Sequence, residues 1–76
     1  MATPIVTPQL GVVEEIVVLE WLVANGAVVE LGQPVVLVET EKTQTELEAP
    51  ADGVVRIVVA AAEETLPIET VLGYVD

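Results

Sequence analysis

The chain contains one lysine, Lys42, within the run Val35-Val-Leu-Val-Glu-Thr-Glu-Lys42-Thr-Gln-Thr-Glu-Leu-Glu48. The only other cation is Arg56. A lysine that forms a Schiff base must lose its proton near neutral pH, which takes burial or a neighbouring cation. Here the sequence neighbours are Glu39, Glu41 and Glu46, and anions favour the charged ammonium. An intrinsic amine nucleophile is therefore a poor assignment. Two readings stay open from the residues alone. Lys42 is a solvated turn lysine, or it is acylated by a partner enzyme and becomes the anchor of a cofactor stalk.

The rest of the inventory excludes most catalysis. The chain has no His, no Cys and no Ser. Ser-His-Asp and Cys-His systems cannot be built from it, and zinc lacks its usual ligands. Carboxylate pairs exist, such as Glu39 with Glu41 and Glu63 with Glu64. Glycosidase chemistry would need such a pair in a concave, partly dry cleft, for which a domain this small has little room. No Asp-x-Asp-x-Asp-Gly calcium loop is present, and the glycines lack phosphate-loop spacing. The expectation is no catalytic residue and no metal site.

The elements around Lys42 read as β-structure. Val, Ile and Thr cluster in short runs separated by Gly, Pro, Asn and Asp. Predicted strands are Pro4–Thr7, Glu15–Ala24, Val28–Glu30, Val35–Thr40, Thr43–Glu48, Gly53–Ala61, Leu66–Ile68 and Val71–Val75. Turn signals fall at Asn25-Gly26, Gly32-Gln-Pro34 and Ala49–Gly53. The continuous apolar runs Ile16–Leu19 and Val35–Val38 suggest strands clamped between layers or partly covered on both faces. A turn at Glu41-Lys42 sets a register: Thr40 opposite Thr43, Val38 opposite Thr45 and Val36 opposite Leu47 on one side. Leu37 then faces Glu46, and Val35 faces Glu48, on the other. Polarity rises toward the tip, as in a hairpin projecting into solvent. Local propensity does not select this turn, because two-residue hairpin loops favour Asn-Gly or Gly-X.

The halves repeat weakly at an offset of 37 residues. Trp21-Leu22 falls on Val58-Val59, Val28-Val29 on Thr65-Leu66, and Leu37-Val38-Glu39 on Tyr74-Val75-Asp76. Two similar halves predict a pseudo-symmetric pair of sheets, with Lys42 at their junction.

Composition bounds the partners. Seventy-six residues with 53% hydrophobic content make one small domain over residues 1–76, with a thin core and no disulfide. The formal charge is −11. Nucleic-acid binding needs cations that replace counterions, so neither nucleic acid nor an anionic membrane surface is an expected partner. Charges or turn residues interrupt every apolar run before the length of a membrane span. The acidity reads as a solvated face that keeps a Val-rich chain soluble, and as steering toward a basic partner surface.

The stretches Glu20–Val23, Asn25-Gly26, Gly32-Gln-Pro34, Val35–Glu39, Glu41-Lys42-Thr43, Ala49–Val54 and Val71–Asp76 resemble the biotinyl/lipoyl carrier domain family over essentially the whole chain. They look most like the lipoyl domains of 2-oxoacid dehydrogenase acyltransferases (dihydrolipoamide acyltransferases). The family sets its modified lysine in an Asp-Lys-Ala-like tripeptide, of which Glu41-Lys42-Thr43 is a mild variant. It also places a glycine sixteen residues before that lysine and another eleven after, matched by Gly26 and Gly53. The biotin branch flanks its lysine with Met, whereas the only Met here is Met1. Glu63 and Glu69 depart from the pattern, standing where the second half usually has glycines, and Ile16 stands where Gly is frequent. The chain ends at Asp76, where an Ala/Pro-rich linker would begin in an acyltransferase, so an excised domain or a standalone carrier is expected.

The resemblance implies an all-β fold: a flattened barrel, or barrel-sandwich hybrid, of two four-stranded antiparallel sheets with pseudo-two-fold symmetry. It implies lipoic acid joined by an amide to Lys42, at an exposed hairpin tip. Glu41 and Thr43 would present it, Glu39 would be read by a lipoate ligase or lipoyl transferase, and Glu46 would help steer the partner. The implied role is a non-catalytic swinging arm that carries acyl groups and electrons. It would run between a thiamine-diphosphate-dependent 2-oxoacid decarboxylase, an acyltransferase core and dihydrolipoamide dehydrogenase. The implied location is the cytoplasm, or the mitochondrial matrix in a eukaryote. A biotin carboxyl carrier domain and an unmodified lipoyl-like interaction module are the alternatives.

Overall fold

A computed structural model describes residues 2–7, 15–40, 43–61, 65–68 and 70–76. Eight strands are described: β1 (Thr3–Val6), β2 (Glu15–Trp21), β3 (Val28–Val29), β4 (Pro34–Glu39), β5 (Gln44–Glu48), β6 (Gly53–Ile57), β7 (Thr65–Pro67) and β8 (Val71–Val75). They form two four-stranded sheets, ordered β1-β8-β6-β3 and β5-β4-β2-β7. Every strand pair is antiparallel. This is the expected flattened sandwich. Its core is aliphatic: Ile5, Ile16, Val18, Val29, Val35, Val36, Val38, Leu47, Val55, Leu72 and Val75 are buried between the sheets. Ile16, where the family often has glycine, is one of them.

The two orders are the same order shifted by four strands, which is the pseudo-two-fold in topological form. The register repeats it. Val18 pairs with Val38, and 37 residues on Val55 pairs with Val75. Val17 pairs with Thr65 in one sheet, and Val28 with Val54 in the other, again 37 apart. Glu39 opposite Val17 has its counterpart in Asp76, which exchanges two 2.9 Å backbone hydrogen bonds with Val54.

The expected match of Trp21-Leu22 to Val58-Val59 holds at Leu22 and slips by one residue at Trp21, whose ladder counterpart is Ile57. Leu22 N–H donates to Val35 O, and 37 residues on Val59 N–H donates to Leu72 O, which accepts from Val58 N–H as well. The cause is a bulge in β2: Val18 pairs with Val38, but Glu20, not Leu19, pairs with Leu37. The extra residue shortens the ladder offset from 37 to 36 at Glu20 and Trp21. A bulge also corrects the hairpin register. Thr45, Glu46 and Leu47 face Val38, Leu37 and Val36 as expected, but Glu48 faces Pro34, not Val35. Val35 is the inserted residue, and its successor Val36 is buried with it at 0% exposure. The same device recurs 37 residues on, where β1 pairs with Val71 and Gly73 and skips Leu72. At Val35 the bulge turns a second consecutive apolar side chain inward, whereas in the other sheet the buried neighbour of Leu72 is Gly73.

Six strands end earlier than expected: β2 by three residues at Trp21, β6 by four at Ile57, and β1, β3, β4 and β7 by one each. Of the two kinds of cover expected for Ile16–Leu19, the partial one is found: Ile16 and Val18 are buried, while Val17 and Leu19 are half-buried. At Gly53 the backbone passes so close to the Asp76 carbonyl that a Cβ would overlap it. That contact is where the final strand meets β6, and it accounts for the glycine eleven residues after Lys42. Glu63 and Glu69 lie outside the described residues.

Candidate functional site

Strands β4 and β5 run to the pair Glu39 and Gln44, and the hairpin base lies one step beyond. Thr40 N–H donates to Thr43 O at 2.8 Å. The Thr40 hydroxyl works twice: it donates to Thr43 O and accepts from Thr43 N–H, both at 3.2 Å. Thr40 is 6% exposed although it flanks a turn, while Thr43 is exposed. Its buried hydroxyl replaces the turn chemistry that Glu41-Lys42 lacks. The Thr40 side chain accepts the amide hydrogen that a tight Asn-Gly turn would send to a backbone carbonyl. Lys42 and Glu41, the expected attachment residue and its flank, join Thr40 to Thr43 in the sequence and lie outside the described residues.

The other expected recognition residues are placed directly. Glu39 and Glu46 are both exposed, on neighbouring strands of the same sheet. Gln44 Nε2 reaches Glu39 Oε2 at 3.5 Å across the strand pair. Arg56, the second cation, sits on the opposite sheet. It donates to Asp76 Oδ2 at 3.2 Å, and its guanidinium lies 4.8 Å from the centre of the Tyr74 ring. The charges described beside the hairpin are therefore all negative. No group of His, Cys, Asp or Glu suited to hold a metal ion occurs among the described residues.

Sequence reading treats Asn25-Gly26 and Asp52-Gly53 as turn formers. They also make long-range contacts. Asn25 Oδ1 accepts from Ile57 N–H at 2.8 Å, and Asp52 Oδ1 accepts from Leu31 N–H at 2.7 Å. Trp21 is half-buried, and its Nε1–H donates to Val59 O at 2.8 Å. These three side chains bind one half of the chain to the other, so the hairpin is carried on a cross-tied frame. Their residue types signal turns and core only. The partners become visible when the repeat is folded onto itself.

A family model described as "Biotin-requiring enzyme" matches residues 3–75. The chain belongs to this biotinyl/lipoyl attachment family. Within it, the curated relatives point to the lipoyl domain of an acyltransferase. The dihydrolipoyllysine-residue acetyltransferase component of the acetoin cleaving system of Cupriavidus necator is 41% identical over 92% of this chain and 19% of its own length. The corresponding acetyltransferase component of the pyruvate dehydrogenase complex of Mycobacterium tuberculosis is 39% identical over 88% of this chain and 12% of its own. An acetoin-system component from Pseudomonas putida is 42% identical over 72% of this chain and 15% of its own. The chain thus spans less than one fifth of the length of these relatives. What it shares with them is a carrier domain.

Proposed function

We propose that Lys42 carries lipoic acid as an amide, and that this 1–76 domain is a non-catalytic swinging-arm carrier for a 2-oxoacid dehydrogenase complex. The observation that supports it most is the pairing of β4 with β5, fastened at Thr40 and Thr43, the two residues between which Glu41-Lys42 falls in the sequence. The donor set fits such a group. A ligase needs an accessible lysine, and the described residues that flank Lys42 in the sequence beyond Thr40, namely Glu39, Thr43 and Gln44, are exposed. A bound lipoyl group supplies a dithiolane that accepts an acyl group together with electrons and gives them up separately.

The chain's own part is presentation. The three Thr40–Thr43 hydrogen bonds fix the direction in which the hairpin leaves the sandwich. Glu41 and Thr43 flank the attachment point, Glu39 lies three residues before it for a lipoate ligase or lipoyl transferase to read, and Glu46 adds negative potential. Loading Lys42 removes one positive charge and leaves the region more anionic still. Tethering raises the effective concentration of the arm at each partner. In this reading those partners are a thiamine-diphosphate-dependent 2-oxoacid decarboxylase, an acyltransferase core and dihydrolipoamide dehydrogenase, in the cytoplasm or the mitochondrial matrix.

The test is loading. The chain is incubated with ATP and either lipoate plus a lipoate ligase or biotin plus a biotin ligase, then weighed. One lipoyl group on wild type, none on Lys42→Arg and no biotin are the expected results. Biotin on wild type would make it a biotin carrier, and no gain in either arm would leave an unmodified interaction module. Replacing Glu41 and Thr43 by Met is expected to shift loading toward biotin.

A further inference from the structure

Asn25 is the only asparagine in the chain, and a glycine follows it. Asparagine is a thermolabile side chain, and this pair has a chemistry of its own. A glycine amide nitrogen, once deprotonated, can attack the side-chain carbonyl carbon of the asparagine before it, because no side chain crowds the approach. A bond forms between Gly26 N and Asn25 Cγ, and the bond from Cγ to Nδ2 breaks. The amide proton passes to hydroxide. The leaving nitrogen takes a proton from water, which restores the hydroxide, and departs as ammonia. Water then opens the cyclic imide at either carbonyl and leaves aspartate or isoaspartate. Nothing is oxidised or reduced, and water is the one co-reactant.

The fold leaves this site open to water and holds both reacting groups. Asn25 and Gly26 are exposed, and no atom beyond the chain neighbours lies within 4 Å of the place a Gly26 Cβ would take. The two residues form the centre of a turn closed by Ala27 N–H to Ala24 O at 3.0 Å, with Gly26 at a φ of +91°. Gly26 N–H donates to Val55 O at 2.7 Å, so the proton that the attack must remove is bound. Asn25 Oδ1 accepts from Ile57 N–H at 2.8 Å, which keeps the side-chain carbonyl from swinging over Gly26 N. Val55 and Ile57 belong to β6, in the other half of the chain.

We propose that Asn25 is a deamidation site gated by the fold. It reacts with water only when the Asn25–Ile57 and Gly26–Val55 hydrogen bonds open together, so its conversion accumulates with each opening of this tie between the halves. The change is one-way. Isoaspartate routes the main chain through the former side-chain carbon and adds an atom to the turn that Ala24 and Ala27 close. Gly26 N–H is then displaced from Val55 O, and the tie does not re-form. The inference needs no group on Lys42 and stands apart from the carrier reading.

The test holds the full chain at mildly alkaline pH, in buffer and in enough guanidinium chloride to unfold it, with the free peptide Val23–Val28 as reference. Mass spectrometry with fragmentation follows the exchange of amide for acid at Asn25, and enzymatic methylation counts isoaspartate. Hydrogen exchange at the Gly26 and Ile57 amides is measured on the same samples. Asn25 is expected to convert as fast in the unfolded chain as in the peptide. In the folded chain it is expected to convert roughly tenfold to a hundredfold more slowly, the population penalty for opening two hydrogen bonds. Low denaturant should raise this rate in step with exchange at Gly26. Asn25→Gln, which would have to close a larger ring, should stay unconverted throughout. Equal rates in the folded and unfolded chain would overturn the proposal. So would conversion of the folded chain while the Gly26 and Ile57 amides stay protected, or no conversion in denaturant.

Discussion

Two buried threonines with opposite hydrogen-bonding circumstances give a sharp test of the described packing. Thr7 is 0% exposed, and its hydroxyl has no hydrogen-bond partner among the described residues. Thr40 is 6% exposed and its hydroxyl makes two hydrogen bonds to Thr43. Valine has nearly the shape of threonine, so Thr→Val isolates the hydroxyl at each site. A buried polar group without a partner costs about 1–3 kcal/mol, and a satisfied one contributes about 0.5–1.5 kcal/mol per bond. Thr7→Val is therefore expected to stabilise the domain by about 1 kcal/mol. Thr40→Val is expected to destabilise it by about 1–2 kcal/mol, because it also strands the Thr43 amide. For a domain of this size each kcal/mol moves Tm by about 4–8 °C. The two variants should thus melt on opposite sides of wild type in scanning calorimetry, with Trp21 fluorescence as a second probe. A lower Tm for Thr7→Val would show that its hydroxyl is satisfied and that the packing at the end of β1 is misread.

Other expected outcomes follow from single contacts. Gly73→Ala should destabilise the domain by about 2 kcal/mol or more, since its Cβ would sit 2.6 Å from Arg56 O and 3.2 Å from Trp21 Cη2, measured by denaturant unfolding. Trp21→Phe removes the Nε1–Val59 bond and some packing area and should cost about 1–2 kcal/mol in the same assay, read by circular dichroism. Arg56→Gln breaks an exposed ion pair and should change stability by less than about 1 kcal/mol. A larger loss would mean that the stacking on Tyr74 anchors β8.

The hairpin around Lys42 was legible because its side chains alternate by polarity: Leu37, Glu39, Gln44 and Glu46 take one face, Val38 and Leu47 the other. The repeat was legible at Val28-Val29 and Leu37–Glu39, where strand positions recur without insertions. The bulges at Leu19, Val35 and Leu72 were not, because each lies in an apolar run where one extra residue leaves the pattern unchanged. Strand ends at Trp21 and Ile57 were missed for a related reason: Leu22, Val23, Val58 and Val59 have strand propensity but follow the chain out of the sheet. The roles of Asn25 and Asp52 depend on partners brought near by the fold, and in the sequence they look like turn residues, whereas the pairing of Thr40 with Thr43 was legible and only the part played by its hydroxyl was not.

The attachment of lipoic acid to Lys42 is tested most directly by the mass of the chain isolated from its native host, with fragmentation to locate any added group. A single lipoyl group on the fragment containing Glu41-Lys42-Thr43 is the expected result. An unmodified Lys42 in protein from cells that actively lipoylate other carriers, or biotin at that position, would contradict the assignment.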